Sequence, residues 1–424
     1  MNIKILPLLS AGIILLSGCN RGADVTQTNP DTAEIAEIHS DGTETAESSA
    51  FPDSPAGITA PDTSSSAPVI ENNVGVSLTR DQYDYLREMT DFSGRYMSLE
   101  EINWQCVYIP EDTSRFGYAF TADDEWLYFQ NIEYTEAGYA ASNLTVTEYN
   151  ILTGEFESFE FPASYTISYA DRDYFIYYDG EKDILVNHGS GESMPLPESE
   201  KLYASTYPGI KRIGQSFYYN ISEEFSNADG SMSFESAVLC RYAPNVDYFA
   251  KLAADMEIVG SVSEEVYCKS SGGKIYRYVI GGGQAEFEFQ SSYLHAGGAF
   301  AGYVIPTVNS SLFGQRYEVG RLLPRDTWNV YQQQIFTTHY GTRVWDIAIT
   351  SESVAFVELS SNETQTVLAV DINSDRAADT GYSDILHCGR DWVYLRDYND
   401  GGSSILAIKP NETYSLSAAV TPAR

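Results

Sequence analysis

One short aromatic strand pattern recurs seven times along this chain. The copies run from Trp126 to Phe129, Tyr174 to Tyr177, Phe217 to Tyr219, Val266 to Cys268, Phe300 to Tyr303, Val354 to Val357 and Trp392 to Leu395. Each follows a polar or glycine-containing turn, such as Asp123-Asp124-Glu125, Asp171-Arg172-Asp173 or Gly389-Arg390-Asp391. Intervals of 48, 43, 49, 34, 54 and 38 residues separate the copies, the period of a β-propeller blade.

A second apolar strand follows each copy, as in Ile184 to Val186, Val238 to Cys240 and Ile405 to Ile408. The pair forms a hairpin, helped by residues that tolerate positive φ at Asp179-Gly180, Asn227 to Gly230 and Asn399 to Gly402. A further strand precedes each copy, for instance Tyr165 to Tyr169 and Ile385 to Cys388, and Phe156 to Phe161 reads as a fourth. Such a unit cannot bury both faces alone, but packed radially against its neighbours it can. A β-sandwich also shows many short strands, yet it has no reason to repeat one aromatic hairpin seven times. The expectation is an all-β propeller of about seven blades, within a range of six to eight, over residues 78–424. Trp104 to Tyr108 and Tyr414 to Val420 are the expected terminal strands, one blade being built from both ends of the chain. Thr79 to Thr90 carries a capping-box pattern and is expected as a short helix outside the ring.

The N-terminus has a different character. Lys4 precedes an apolar run from Ile5 to Leu15 that is too short to span a bilayer, and Leu16-Ser17-Gly18-Cys19 ends it. This resembles a bacterial lipoprotein signal peptide over residues 1–18. The resemblance implies that Cys19 is lipidated and becomes the first residue of the mature protein, giving a membrane anchor on the extracytoplasmic face, at the cell surface or in the periplasm. Residues 19–77 hold ten acidic side chains against Arg21, with too little apolar surface to offset ordering entropy. They are expected to form a disordered, acidic tether.

The net charge is −35, of which about −27 falls on residues 78–424. So acidic a surface repels phosphate backbones, which excludes nucleic acid as a partner. Cys106, Cys240, Cys268 and Cys388 lie in apolar strand patterns. Their spacing contains no CxxC, so no zinc site is expected, and it leaves free thiols and three full pairings open. Catalytic signatures are absent: Gly189 to Ser193 lacks the GxSxG spacing, and Gly281-Gly282-Gly283 lacks the Lys-Ser/Thr of a phosphate loop. No cofactor is expected.

Five positions ahead of each aromatic strand stand Thr121, Tyr169, Arg212, Ser261, His295, Ile349 and His387. Equivalent positions on innermost strands can face a propeller's channel, so Tyr169, Arg212, His295 and His387 are the candidate axial ligand-binding residues. Imidazole beside a cation and a phenol suits a metal, a carboxylate or a sugar acid. The segments Asn131 to Asn143, Ser222 to Ser236 and Pro306 to Arg316 are expected as the longest interstrand loops and as recognition elements.

From Phe116 to Pro410 the succession of aromatic strand, variable turn and Leu-containing strand, as in Trp392-Val393-Tyr394 to Ile405-Leu406-Ala407, is similar to bacterial domains resembling the β-propellers of low-density-lipoprotein-receptor-related proteins. The expected function is a membrane-anchored binding or assembly module for an envelope protein, peptide or glycan. The alternative is a polysaccharide-active lyase or glycoside hydrolase on the same scaffold, using His295, His387 or a carboxylate pair.

Overall fold

The structure is a computed structural model. It describes residues 69–72, 88–97, 104–134, 141–201, 209–226, 233–262, 265–279, 283–290, 293–310, 314–324, 330–351, 354–361, 364–372, 376–397 and 404–410. The lipobox, most of the tether, nearly all of the expected helix and Tyr414 to Val420 lie outside these residues. No helix among the described residues is long and apolar enough to cross a membrane.

Seven antiparallel four-stranded units follow one another, making a seven-bladed β-propeller. The innermost strands are Tyr118–Asp123, Thr166–Ala170, Ile210–Ile213, Glu257–Val262, Tyr293–Gly297, Arg343–Ala348 and Asp384–Cys388, in blades 1 to 7. The aromatic repeats form the second strand of every blade, and the apolar partners form the third. Blade 7 takes its fourth strand, Trp104–Tyr108, from the N-terminal side, paired antiparallel with Ser404–Pro410, so that both ends of the ring meet in one sheet. Blades 4 and 5 touch through a parallel pairing of Gly260 with Ala296 on their inner strands.

Among the described residues the buried apolar side chains fall into seven clusters, one at each seam between blades. Strand alternation explains this distribution. In blade 7, Val393 and Leu395 enter the seam with blade 6 while Trp392 and Tyr394 enter the seam with blade 1. In blade 2, Tyr174 and Ile176 face blade 3, and Phe175 faces blade 1. A strand apolar on both sides is what a sheet buried on both faces requires, and large rings fill the outward-widening wedge.

Two short described strands flank the ring on the N-terminal side of blade 1. Val69–Asn72 adds a strand outside Trp104–Tyr108, and Arg95–Met97 pairs parallel with Arg376–Asp379 on blade 6. Val69 and Ile70 give the first of these the β-branched residues that a short edge strand needs. The segments expected as long loops are largely strand instead. The second strands of blades 1, 3 and 5 continue to Tyr134, Ser226 and Ser310, and their partners begin at Ala141, Ser233 and Gly314. The extra residues lengthen hairpins rather than leave them. Cys106, Cys240, Cys268 and Cys388 are free thiols, the first three buried.

Candidate functional site

The inner strands run parallel to one another, so every turn that follows one lies at the same end of the ring. Chemistry concentrates at that end. Two polar groups form there, one gathered on Asp171 and the other on Asp346.

Asp171 is buried in the turn that ends the inner strand of blade 2. Its Oδ1 accepts the backbone N–H groups of Asp173 and Tyr174, both at 2.8 Å, while Oδ2 accepts the Tyr169 hydroxyl at 2.6 Å and Arg212 Nη1 at 3.0 Å. Arg212 reaches Asp173 Oδ2 at 2.6 Å through its other nitrogen and lies 4.8 Å from the centroid of the Tyr174 ring. Tyr169 and Arg212 thus come together and fix the shape of one turn across the seam between blades 2 and 3.

The neighbouring Arg172 bridges two carboxylates of blade 1. Its guanidinium donates to Glu148 Oε1, and its backbone N–H donates to Asp123 Oδ2 at 3.1 Å. The guanidinium carbon lies 3.9 Å from the centroid of the Trp126 ring. Burial pushes Asp123 up to about 6; the Arg172 N–H opposes the shift, and the negative charge of Asp171 adds to it. Burial also raises Glu148, against the pull of Arg172. Behind this pair His188, held at about 4 by burial, lies with its Nδ1 3.8 Å from Glu148 Oε2.

Outside Arg172 opens a cleft of about 340 Å³, lined by Asp123, Asp124, Glu125, Trp126, Arg172, Asp391 and Trp392. Each of its tryptophans has a cation from the chain itself beside it. Arg172 covers Trp126, and Lys409 Nζ lies 5.8 Å from the Trp392 centroid while pairing with Asp391 at 2.7 Å. Among the described residues, no cationic side chain pairs with Asp123, Asp124 or Glu125.

Asp346, on the inner strand of blade 6, has its Oδ1 2.7 Å from His295 Nδ1 of blade 5. His387 and Cys388 of blade 7 and Lys211 of blade 3 complete the group, for each feels the charge of Asp346. Burial and then the Lys211 charge lower His387 to about 3, and burial lowers Lys211 to about 8. Burial raises the Cys388 thiol, which makes it a poor nucleophile. Gly298 at φ 77° lets the blade 5 turn press on this group, since a Cβ there would stand 2.7 Å from Cys388 Sγ.

The four candidate residues therefore divide in two, Tyr169 and Arg212 at Asp171, His295 and His387 around Asp346. The sequence did not single out Lys211 or Asp346. Lys211 adjoins Arg212 on a strand of period two, and Asp346 follows a bulge at Trp345 that shifts the register. Nor did it single out the cleft, whose carboxylates read only as turn residues. Among the described residues no group of three His, Cys, Asp or Glu side chains is placed to hold a metal ion.

No protein-family model matches the chain, and no curated protein matches it. Among solved structures it is similar to PorZ, a surface component of the type-IX secretion system of Porphyromonas gingivalis, at 9% identity and a TM-score of 0.38, over 70% of this chain and 37% of that one. The N-terminal domain of Nup159 is similar at 9% identity and a TM-score of 0.34, over 70% of this chain and 91% of that one. The tricorn protease is similar at 10% identity and a TM-score of 0.31, over 75% and 45%. The chain thus spans little more than a third of PorZ, and likenesses this distant say nothing of what it binds.

Proposed function

We propose that this protein is a lipid-anchored, extracytoplasmic binding module whose inner-turn face receives a peptide or glycan of the envelope, through the cleft between blades 7, 1 and 2. The observation that carries this reading is the cleft itself, where the wall formed by Trp126 stands beside Asp123, Asp124 and Glu125, carboxylates without cationic partners. Arg172 on Trp126 and Lys409 on Trp392 show the arrangement such walls accept, a cation over an indole with a carboxylate beside it. A ligand bearing Lys or Arg side chains repeats that arrangement and neutralises Asp124 and Glu125, so a basic peptide fits better than a neutral glycan. Cys19 supplies the membrane attachment, and two acyl chains at ~0.8 kcal/mol per buried methylene hold where one is marginal.

Titrating the protein with a lysine- and arginine-rich heptapeptide and with its glutamate counterpart tests the reading. We expect saturable binding of the basic peptide alone, weakened at least tenfold by Asp124→Asn combined with Glu125→Gln. Equal binding by this double variant, or equal binding of the acidic peptide, contradicts it.

Asp123 favours a second reading, polysaccharide cleavage. A carboxyl at about 6 in a cleft is suited to donate a proton to a leaving group. Turnover of an envelope polysaccharide that Asp123→Asn abolishes would establish it over simple binding.

A further inference from the structure

Glu148 stands where the seam between blades 1 and 2 otherwise takes apolar side chains. Strand alternation puts it in one row with Leu144 and Val146, both of which pack in that seam. Its side chain is 2% exposed. A carboxylate so enclosed calls for donors on both oxygens. Glu358, the other buried glutamate among the described residues, has them, the Ile385 N–H on one oxygen and Gln365 Nε2 on the other. Glu148 has a donor on one oxygen only. Arg172 holds its Oε1, while Oε2 has no hydrogen-bond partner, His188 Nδ1 being 3.8 Å away. Arg172 reaches this carboxylate from a turn that is itself fixed, its backbone N–H on Asp123 Oδ2 and its neighbours Asp171 and Asp173 held by Arg212. It offers Glu148 one nitrogen, Nη1, and the rest of the guanidinium lies against Trp126, with 49% of the side chain exposed. Arg172 also lines the cleft, so the space it fills is the space a ligand in the cleft meets.

We propose that Trp126 and Glu148 form a guanidinium subsite in the wall of the cleft, that Arg172 occupies it in the free protein, and that an arginine side chain of the bound peptide takes its place. The inference rests on the reading of the cleft as a site for basic peptides and narrows it to arginine-containing ones. A planar guanidinium stacks on an indole and spans both oxygens of a carboxylate, which a lysine ammonium does not do. A ligand arginine is free of the backbone that constrains Arg172 and can turn its fork to both Oε1 and Oε2, supplying the donor that Glu148 lacks. Arg172 is already half in water, and the incoming group leaves Glu148 paired. The Lys409 seat on Trp392 is different in kind, because its carboxylate, Asp391, is 49% exposed and makes no such demand.

Calorimetric titration of the full protein with hexaarginine amide and hexalysine amide tests it. The unaltered protein, where no substitution can disturb folding, should bind hexaarginine at least threefold more tightly than hexalysine. Arg172→Ala vacates the subsite and should tighten hexaarginine binding at least tenfold. Hexalysine should gain no more from it than from Lys409→Ala, which removes the same charge from the same cleft. Glu148→Gln should abolish the preference for arginine while hexalysine still binds. Equal affinities of the two peptides for the unaltered protein, equal gains for both in Arg172→Ala, or weaker binding of hexaarginine by that variant would overturn the subsite and leave the basic-peptide reading standing. Failure of both peptides to bind any of these proteins at millimolar concentration would overturn the two together.

Discussion

Single residues in the seams set how this protein responds to pH. Glu358 is 4% exposed between blades 6 and 7, where its carboxylate accepts the Ile385 N–H at 3.1 Å and Gln365 Nε2 at 2.6 Å. Burial nevertheless pushes it up to about 7 from 4.5. Between those two values the folded chain holds a proton that the unfolded chain has released, so stability falls as pH rises through the window. The full effect is roughly 3 kcal/mol for a shift of this size. His188 and His387 act in the opposite sense, since both are lowered and stability falls as pH drops below 6.5. Glu358→Gln isolates the first effect: the variant should gain stability relative to the parent between pH 5 and pH 8, as followed by urea melts. A constant difference across that range would show that Glu358 does not titrate there.

At the scale of strands and turns, the recurrence of one aromatic hairpin at blade-sized intervals made the fold legible, because a sandwich has no reason to repeat it seven times. The axial register was less legible. Thr121, Tyr169, His295 and His387 all pair with the third residue of their aromatic strands, Tyr128, Ile176, Gly302 and Tyr394. Arg212 and Ser261 pair with the first, Phe217 and Val266, and in blade 6 it is Ala348 rather than Ile349 that meets the third residue, Phe356. Bulges in inner strands cause part of this slippage, and a pattern of side chains does not announce a bulge. The cleft escaped notice for another reason, since its carboxylates belong to two turns distant in sequence, 123–125 and 389–391, with Arg172 from a third. Turns also carry the clearest steric test. Gly298→Ala meets both a positive φ and Cys388 Sγ, whereas Gly180→Ala at φ 105° meets nothing within 4 Å. Thermal melts should show the first costing several kcal/mol and the second about 1 kcal/mol; equal costs would mean that the blade 5 turn does not press on the axial group.

For the whole molecule, the lipid anchor proposed at Cys19 complements the acidity of the domain. A domain that repels anionic head groups needs a hydrophobic attachment to stay at a membrane. Cells expressing Cys19→Ala and fed a clickable palmitate analogue should show no labelled protein, while the parent labels; labelling of the variant would remove the anchor from the account. Both the cleft and the axial group depend on the ring, and the ring depends on Trp104–Tyr108 joining Ser404–Pro410. The most direct measurement is therefore an engineered cross-link at the paired residues Gln105 and Lys409. Gln105→Cys with Lys409→Cys should close quantitatively within one chain and raise stability by roughly 2–4 kcal/mol. Failure to form the bond, or bonding only between two chains, would contradict a ring closed by its own ends.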